Sequence, residues 1–183
     1  MNAYPNDNII INSLYMVSLF SIEKDKGKNI SITNLKLQKL MYFVEAYYMT
    51  IYSEDKYMFS SSWNAWDYGP VNRELYDYFK KFGSMEIEIT ASEKETIKSL
   101  SQENKQCIEK IFEVFGELSA FDLVTLTHLQ GSPWSLINEA NNVSKRYNFE
   151  NINESIISKE DTKNWFKKTF SFILDEENTS GNS

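Results

Sequence analysis

One histidine, His128, and one cysteine, Cys107, are the entire supply of imidazole and thiol in this chain of 183 residues. That inventory excludes an intrachain disulfide, a CxxC pair and any multi-histidine or cysteine-based zinc site. A Ser-His-Asp arrangement needs only one imidazole, but no nucleophile-elbow sequence lies near His128. A lone histidine inside a helix more often makes a structural hydrogen bond than serves as a catalyst. There is no GxxxxGK[ST] loop and no GxGxxG turn, the two glycine-rich phosphate cradles. Cys107, followed by Ile108 and Ile111, reads as a core or half-buried thiol without a catalytic role. Neither a cofactor nor a metal is expected, and catalytic residues are assigned to none of these positions.

The remaining chemistry is polar groups on an apolar helix, and aromatic rings. In TNLKLQKLMYFVEAYYMTIY (33–52), Leu37, Leu40, Met41, Val44, Tyr47, Tyr48 and Ile51 fall at helical spacing. Leu35, Tyr42, Phe43, Ala46, Met49 and Tyr52 fill most other directions, so the helix is apolar nearly all round and needs neighbours on several sides. Gln38 and Glu45 share one stripe, and Lys36, Lys39 and Thr50 form a second. The Gln38 and Glu45 stripe faces water unless the helix is enclosed; enclosed, these groups must line a pocket or meet a polar partner, since an unpaired buried polar group costs roughly 1–3 kcal/mol. Four tryptophans and eleven tyrosines admit a stacking platform at Trp63, Trp66 or Tyr68, but packing is the commoner use of such rings. Trp66 reads as core, and Trp63, beside Ser60 to Ser62, as the better surface contact.

Charge narrows the partners. The net charge is −7, with eight acids against four bases in residues 84–118 and three further acids at Asp175, Glu176 and Glu177. An acidic chain without a basic stripe lacks the counterion-releasing surface that nucleic acid requires, so nucleic-acid binding through this domain alone is not expected. A basic protein partner suits it, although plain solubility of exposed helices is the simpler account. No basic segment precedes an apolar run at the start, and no stretch is long and apolar enough for a membrane span, so no membrane association and a cytoplasmic location are expected.

Stepping along the chain, one helix is predicted from about Asn8 to Lys24 and the apolar helix begins after Ser31 or Thr33 as N-cap. KYMFSSSWNAWDYG (56–69) lacks a helical period and reads as an extended segment. Pro70 reads as the first residue of the next helix, with Val71, Leu75, Tyr78, Phe79 and Phe82 on its face and Gly83 at its end. Met85 to Ile89 alternates as a short strand that can pair with the extended segment. Ser101 caps a helix to Phe115, Ser119 with Asp122 opens a helix running to His128, Ser132 and Pro133 open another, 141–155 reads as loop, and Ser158 with Asp161 caps a final helix carrying Trp165, Phe166 and Phe170. The chain is therefore expected to be mainly α: a compact helical domain of about six to seven helices with a minor extended or short two-stranded element. Residues 1–8 form a flexible start, 9–176 one domain and 177–183 a disordered acidic tail.

KLQKLMYF (36–43), AWDYGPV (65–71) running into LYDYFKKFG (75–83), then Leu123 to His128 followed by Pro133 and Trp134, and the closing helix with Trp165 and Phe166, resemble in order the Panacea domain. This is the SocA-like antitoxin family that also includes the phage-associated GepA proteins. The resemblance implies a helical antitoxin domain of a toxin-antitoxin system that neutralises a toxin, usually from the adjacent gene, by direct binding. It also allows an adaptor that delivers the toxin to a ClpXP-type protease. The family-motif residues, whether they line a pocket or hold the fold, are Gln38, Lys39, Tyr42, Trp66, Gly69, Pro70, Thr127, His128 and Trp134. Asp67 departs from the family pattern, where a basic residue is common. An enzyme or small-ligand protein would instead use a pocket formed by Gln38, Lys39, Tyr42, Asp67 and His128. For the toxin-binding surface, the candidates are Trp63, Tyr57 and Phe59 as anchors and Glu86 and Glu88 as steering charges.

Overall fold

Helix α2, Asn34–Ile51, is buried everywhere except at Leu35, Thr50 and Ile51, and the other elements are arranged around it. The computed structural model describes residues 8–52, 56–147 and 156–174; the expected flexible start, apart from Asn8, and the acidic tail lie outside these residues. Thr33 caps α2 by accepting from the Lys36 amide, satisfying one of the donors that a helix start leaves unpaired. Around α2 pack α5 (Gln102–Phe115), α6 (Ala120–Thr127) and α8 (Lys159–Thr169), with α1 (Ile9–Asp25) filling a remaining side and reaching across to α5. Phe43 of α2 meets Phe115 of α5 and Phe166 and Phe170 at the far end of the chain. This aromatic joint is the centre of the core. Among the described residues no helix is long and apolar enough to cross a membrane.

The extended segment folds as a hairpin. Strands β1 (Trp63–Trp66) and β2 (Gly69–Val71) pair antiparallel with Trp66 opposite Gly69, leaving Asp67 and Tyr68 as the turn. Strand β3 (Ile156–Ile157) joins the other side of β1, giving the order β2-β1-β3. The sheet is thus three-stranded, one strand more than the sequence indicated, and the mainly helical class with a small extended element is as expected.

Four local expectations are corrected. Pro70 lies in β2 and not at the start of a helix: α3 (Arg73–Phe79) begins after Asn72, whose side chain accepts from the Leu75 amide. Proline is at home on an edge strand because it has no N–H to donate. Residues 85–89 form no strand; Ile87 donates its amide to the Ile32 carbonyl and buries its side chain instead. Helix α7 (Pro133–Tyr147) extends through residues 141–147, read from the sequence as loop. An eighth α-helix among the described residues, α4 (Ala91–Thr96), was not anticipated, although Thr90 and Glu93 form a full capping box at its start. The caps at Ser101, Ser119 and Ser158 are where the sequence put them.

Candidate functional site

The polar residues of α2 are enclosed, which overturns the reading that Gln38 and Glu45 face water. Each meets a partner on another element. Gln38 straddles the hairpin exit: its Oε1 accepts from the Asn72 amide at 2.9 Å and its Nε2 donates to the Asn72 carbonyl at 3.3 Å. The Asn72 amide lies between β2 and α3, and the Asn72 carbonyl also accepts the Tyr76 amide of α3 at 2.9 Å; a carboxamide with both a donor and an acceptor fits this junction. Lys39, fully buried, donates from Nζ to the Pro70 carbonyl at 2.8 Å. Burial lowers its pKa from 10.5 to about 7, since a desolvated ammonium without an anion is disfavoured. Glu45 accepts from the Trp63 indole, from Lys159 at 2.7 Å and from the Phe59 amide at 3.4 Å. Burial raises the Glu45 carboxyl and the Lys159 ammonium pulls it back.

A second layer lies over Lys39. Gly69 has φ +93° and sits so close to α2 and α6 that a Cβ there would lie 2.6 Å from Thr127 Oγ1 and 3.1 Å from Lys39 Cε. Only glycine satisfies both conditions. Trp134 donates its indole N–H to the Trp66 carbonyl at 2.7 Å, tying α7 to the hairpin. His128, the C-cap of α6 and not an interior residue of it, stacks on Trp134 with centroids 3.5 Å apart and planes 5° apart. Its Nε2 is buried without a partner among the described residues, and burial followed by the Lys39 charge lowers its pKa. Gln38, Lys39, Trp66, Gly69, Pro70, Thr127, His128 and Trp134 therefore converge on one joint between α2, the hairpin, α6 and the start of α7. Tyr42 does not: its hydroxyl bonds to Thr162 Oγ1 at 3.0 Å and its ring meets Trp63 edge-on.

Beside this joint opens a groove of about 580 Å³, lined by Asn34, Leu35, Gln38, Ala65, Trp66, Asp67, Tyr68, Val71, Tyr76, Lys80 and Gly83. Trp66 and Tyr76 meet in a T-shape at 5.1 Å, and the Tyr68 ring is 60% exposed. Of the five residues of the small-ligand reading, Gln38 and Asp67 line the groove, whereas Lys39, Tyr42 and His128 do not, so the five do not come together there. Asn72, Asn34 and Tyr76 were missed by sequence reasoning. The signal for Asn72 was available, an N-cap residue immediately before RELYDYF, but Pro70 drew the helix start three residues too early.

Two proposed anchors are not surface residues. Trp63 is 2% and Phe59 1% exposed, because the Trp63 indole satisfies Glu45 and the Phe59 carbonyl accepts from Lys159. Trp66, expected in the core, is the half-exposed indole of the pair. Tyr57 is 50% exposed under the Lys159 ammonium, 4.7 Å from its ring centroid. Glu86 pairs with Lys24 at 2.6 Å, and Glu88 is exposed. Cys107 is buried.

Residues 37–135 match the family model described as Antitoxin SocA-like, Panacea domain. The chain belongs to this family. It is 29% identical over 124 residues to "Antitoxin SocA" of Caulobacter vibrioides (strain NA1000 / CB15N), a stretch covering 63% of this chain; the chain spans 65% of the length of that curated relative. No solved structure matches. The Panacea match begins within α2 and ends within α7, so it encloses the whole joint of Gln38, Lys39, Gly69, Thr127, His128 and Trp134, while α1 and α8 lie outside it. The motif of the Panacea domain is thus, in this chain, mostly a set of internal contacts.

Proposed function

We propose that this protein is an antitoxin that neutralises its toxin by binding it directly, the toxin being the product of an adjacent gene. The observation that carries this reading is membership of the SocA-like Panacea family across residues 37–135. The geometry supports a binding module over a catalyst: the motif residues Gln38, Lys39 and Trp134 are each bonded to a backbone carbonyl of this same chain. A basic toxin suits the net charge of −7, because opposite charge speeds encounter. The test is co-expression with each neighbouring reading frame. The expected result is growth rescue and a stable complex on co-purification, in cells with and without ClpXP. Rescue that requires ClpXP and leaves no stable complex would replace direct neutralisation with protease delivery; absence of any toxic neighbour would overturn the antitoxin reading.

A further inference from the structure

The groove beside the hairpin is lined by an unsatisfied buried polar group, on Asn34, and by the exposed carboxylate of Asp67. Asn34 is 5% exposed; its Nδ2 reaches the Tyr76 carbonyl only at 3.4 Å, and its Oδ1 has no hydrogen-bond partner among the described residues. A buried acceptor left open is rare, and an amide held by one long bond turns easily toward a donor arriving from the groove. Trp66, Tyr68 and Tyr76 contribute aromatic rings to the lining, and Leu35 an aliphatic side chain. On the rim, Lys80 is already paired with Asp77 at 2.8 Å. Asp67, exposed on the hairpin turn, is in no ion pair among the described residues; the Arg73 guanidinium lies over the neighbouring Trp66 ring, 5.6 Å from its centroid. An apolar slot with one open acceptor and one free carboxylate fits an aromatic side chain with a hydrogen-bond donor and a basic neighbour.

We infer that this groove is the docking site for a basic, aromatic segment of the partner toxin, the aromatic side chain entering between Trp66 and Tyr68, an N–H donating to Asn34 Oδ1, and a lysine or arginine lying against Asp67. The inference rests on the antitoxin reading for the identity of the partner, and not for the chemistry of the segment. Trp66 and Tyr76 are held by their mutual contact, and Asp67 and Tyr68 stand on a hairpin clamped by Gln38 and Lys39, so the slot is formed before binding.

The test has two arms on the full chain. In the first, N-acetylated, amidated Lys-Trp-Lys and Glu-Trp-Glu tripeptides are titrated against isotope-labelled protein by NMR. The basic peptide should shift the amides of Leu35, Ala65 and Tyr68 and bind about fivefold more tightly than the acidic one, the effect of one favourable exposed charge contact. Asp67→Lys should reverse that order, and Asn34→Ala should weaken the basic peptide while the melting temperature stays level or rises. Equal affinities, no shifts in the groove, or an Asn34→Ala protein that melts lower with binding unchanged would each overturn the inference. In the second arm, the co-purified toxin is bound to the parent protein and to Tyr68→Ala. Equal retention shows that the toxin docks elsewhere, and the antitoxin reading survives without the groove. Peptide preference and its reversal in the absence of any toxin binding would do the opposite. A self-dimer lost in Tyr68→Ala would assign the groove to a second copy and overturn the proposal.

Discussion

Replacing Gly69 by alanine tests the joint at its tightest point. The backbone there has φ +93°, a region that costs an L side chain roughly 1–2 kcal/mol. The new Cβ would also stand 2.6 Å from Thr127 Oγ1 and 3.1 Å from Lys39 Cε, and overpacking of that kind costs about 1–3 kcal/mol. Lost freedom of the unfolded chain returns about 0.4–1 kcal/mol. The net expectation is a destabilisation of about 2–4 kcal/mol, or a fall of roughly 5–15 °C in melting temperature for a chain of this size. Urea unfolding followed by circular dichroism measures it. Removing the obstructing hydroxyl separates the two contributions. Thr127→Ala alone loses the Oγ1 bond to the Val124 carbonyl, which also accepts the His128 amide, and should cost about 1 kcal/mol. The double variant should then be less destabilised than the sum of the singles by about 1–2 kcal/mol, because contacting residues do not add. Singles that add within about 0.5 kcal/mol would leave only backbone strain. An alanine variant melting within about 2 °C of the parent would refute the close approach altogether.

Glu45→Gln should destabilise by about 2–3 kcal/mol, since a carboxamide turns a donor toward one of the three donors that the carboxylate accepts; pairing it with Lys159→Met should recover much of the loss, and two purely additive variants would contradict the network. Because burial lowers the Lys39 pKa to about 7, the unfolded chain binds more protons than the folded one between pH 7 and the ordinary lysine range, so stability should rise from about pH 7 toward pH 10. Denaturation at stepped pH should show that slope shrinking in Lys39→Met, and an unchanged slope would assign it elsewhere. Trp63→Ala should be a folding mutation costing about 3–5 kcal/mol, whereas Tyr57→Ala should fold normally; calorimetry distinguishes them, and a Trp63→Ala protein of parental stability would reinstate Trp63 as a surface anchor. Reversing Glu86, Glu88, Glu93 and Glu95 together should slow association with the toxin and flatten its salt dependence. Unchanged association rates across low and moderate salt would reduce that acidic face to a solvating one.

What the sequence disclosed, and what it concealed, follows from the range of the interactions involved. Caps are local, so Ser101, Ser119 and Ser158 stand out as serine with a partner amide three residues on. Helix α2 stands out because apolar residues in nearly every direction require neighbours on several sides. Pro70 misled because the same residue type serves the first turn of a helix and an edge strand, and the choice was settled by Gln38, distant in sequence, bonding both backbone groups of Asn72. Trp63 and Trp66 exchanged roles for a similar reason: the buried indole is the one that reaches Glu45, a partner eighteen positions away. Strand β3 is two residues long and exists only by pairing with Trp63 and Asn64. Its sequence carries no periodicity to detect. The groove was half legible, through Gln38, Trp66 and Asp67, while Asn34 and Tyr76 entered it only once α2 and α3 were placed.

The placement of α8 against α2 bears on how the protein is made. Glu45 is completed by Lys159, and Phe43 and Tyr47 are covered by Phe166, so the most extensively buried helix among the described residues waits for partners synthesised more than a hundred residues later. During translation α2 emerges early with α1 and the hairpin, and one side of it stays open until the segment around residue 170 has left the ribosome. Contacts this distant in sequence form late and leave sticky surface exposed meanwhile. A chain cut short before α8 would therefore present one uncovered aromatic side of α2 to the cell's quality control.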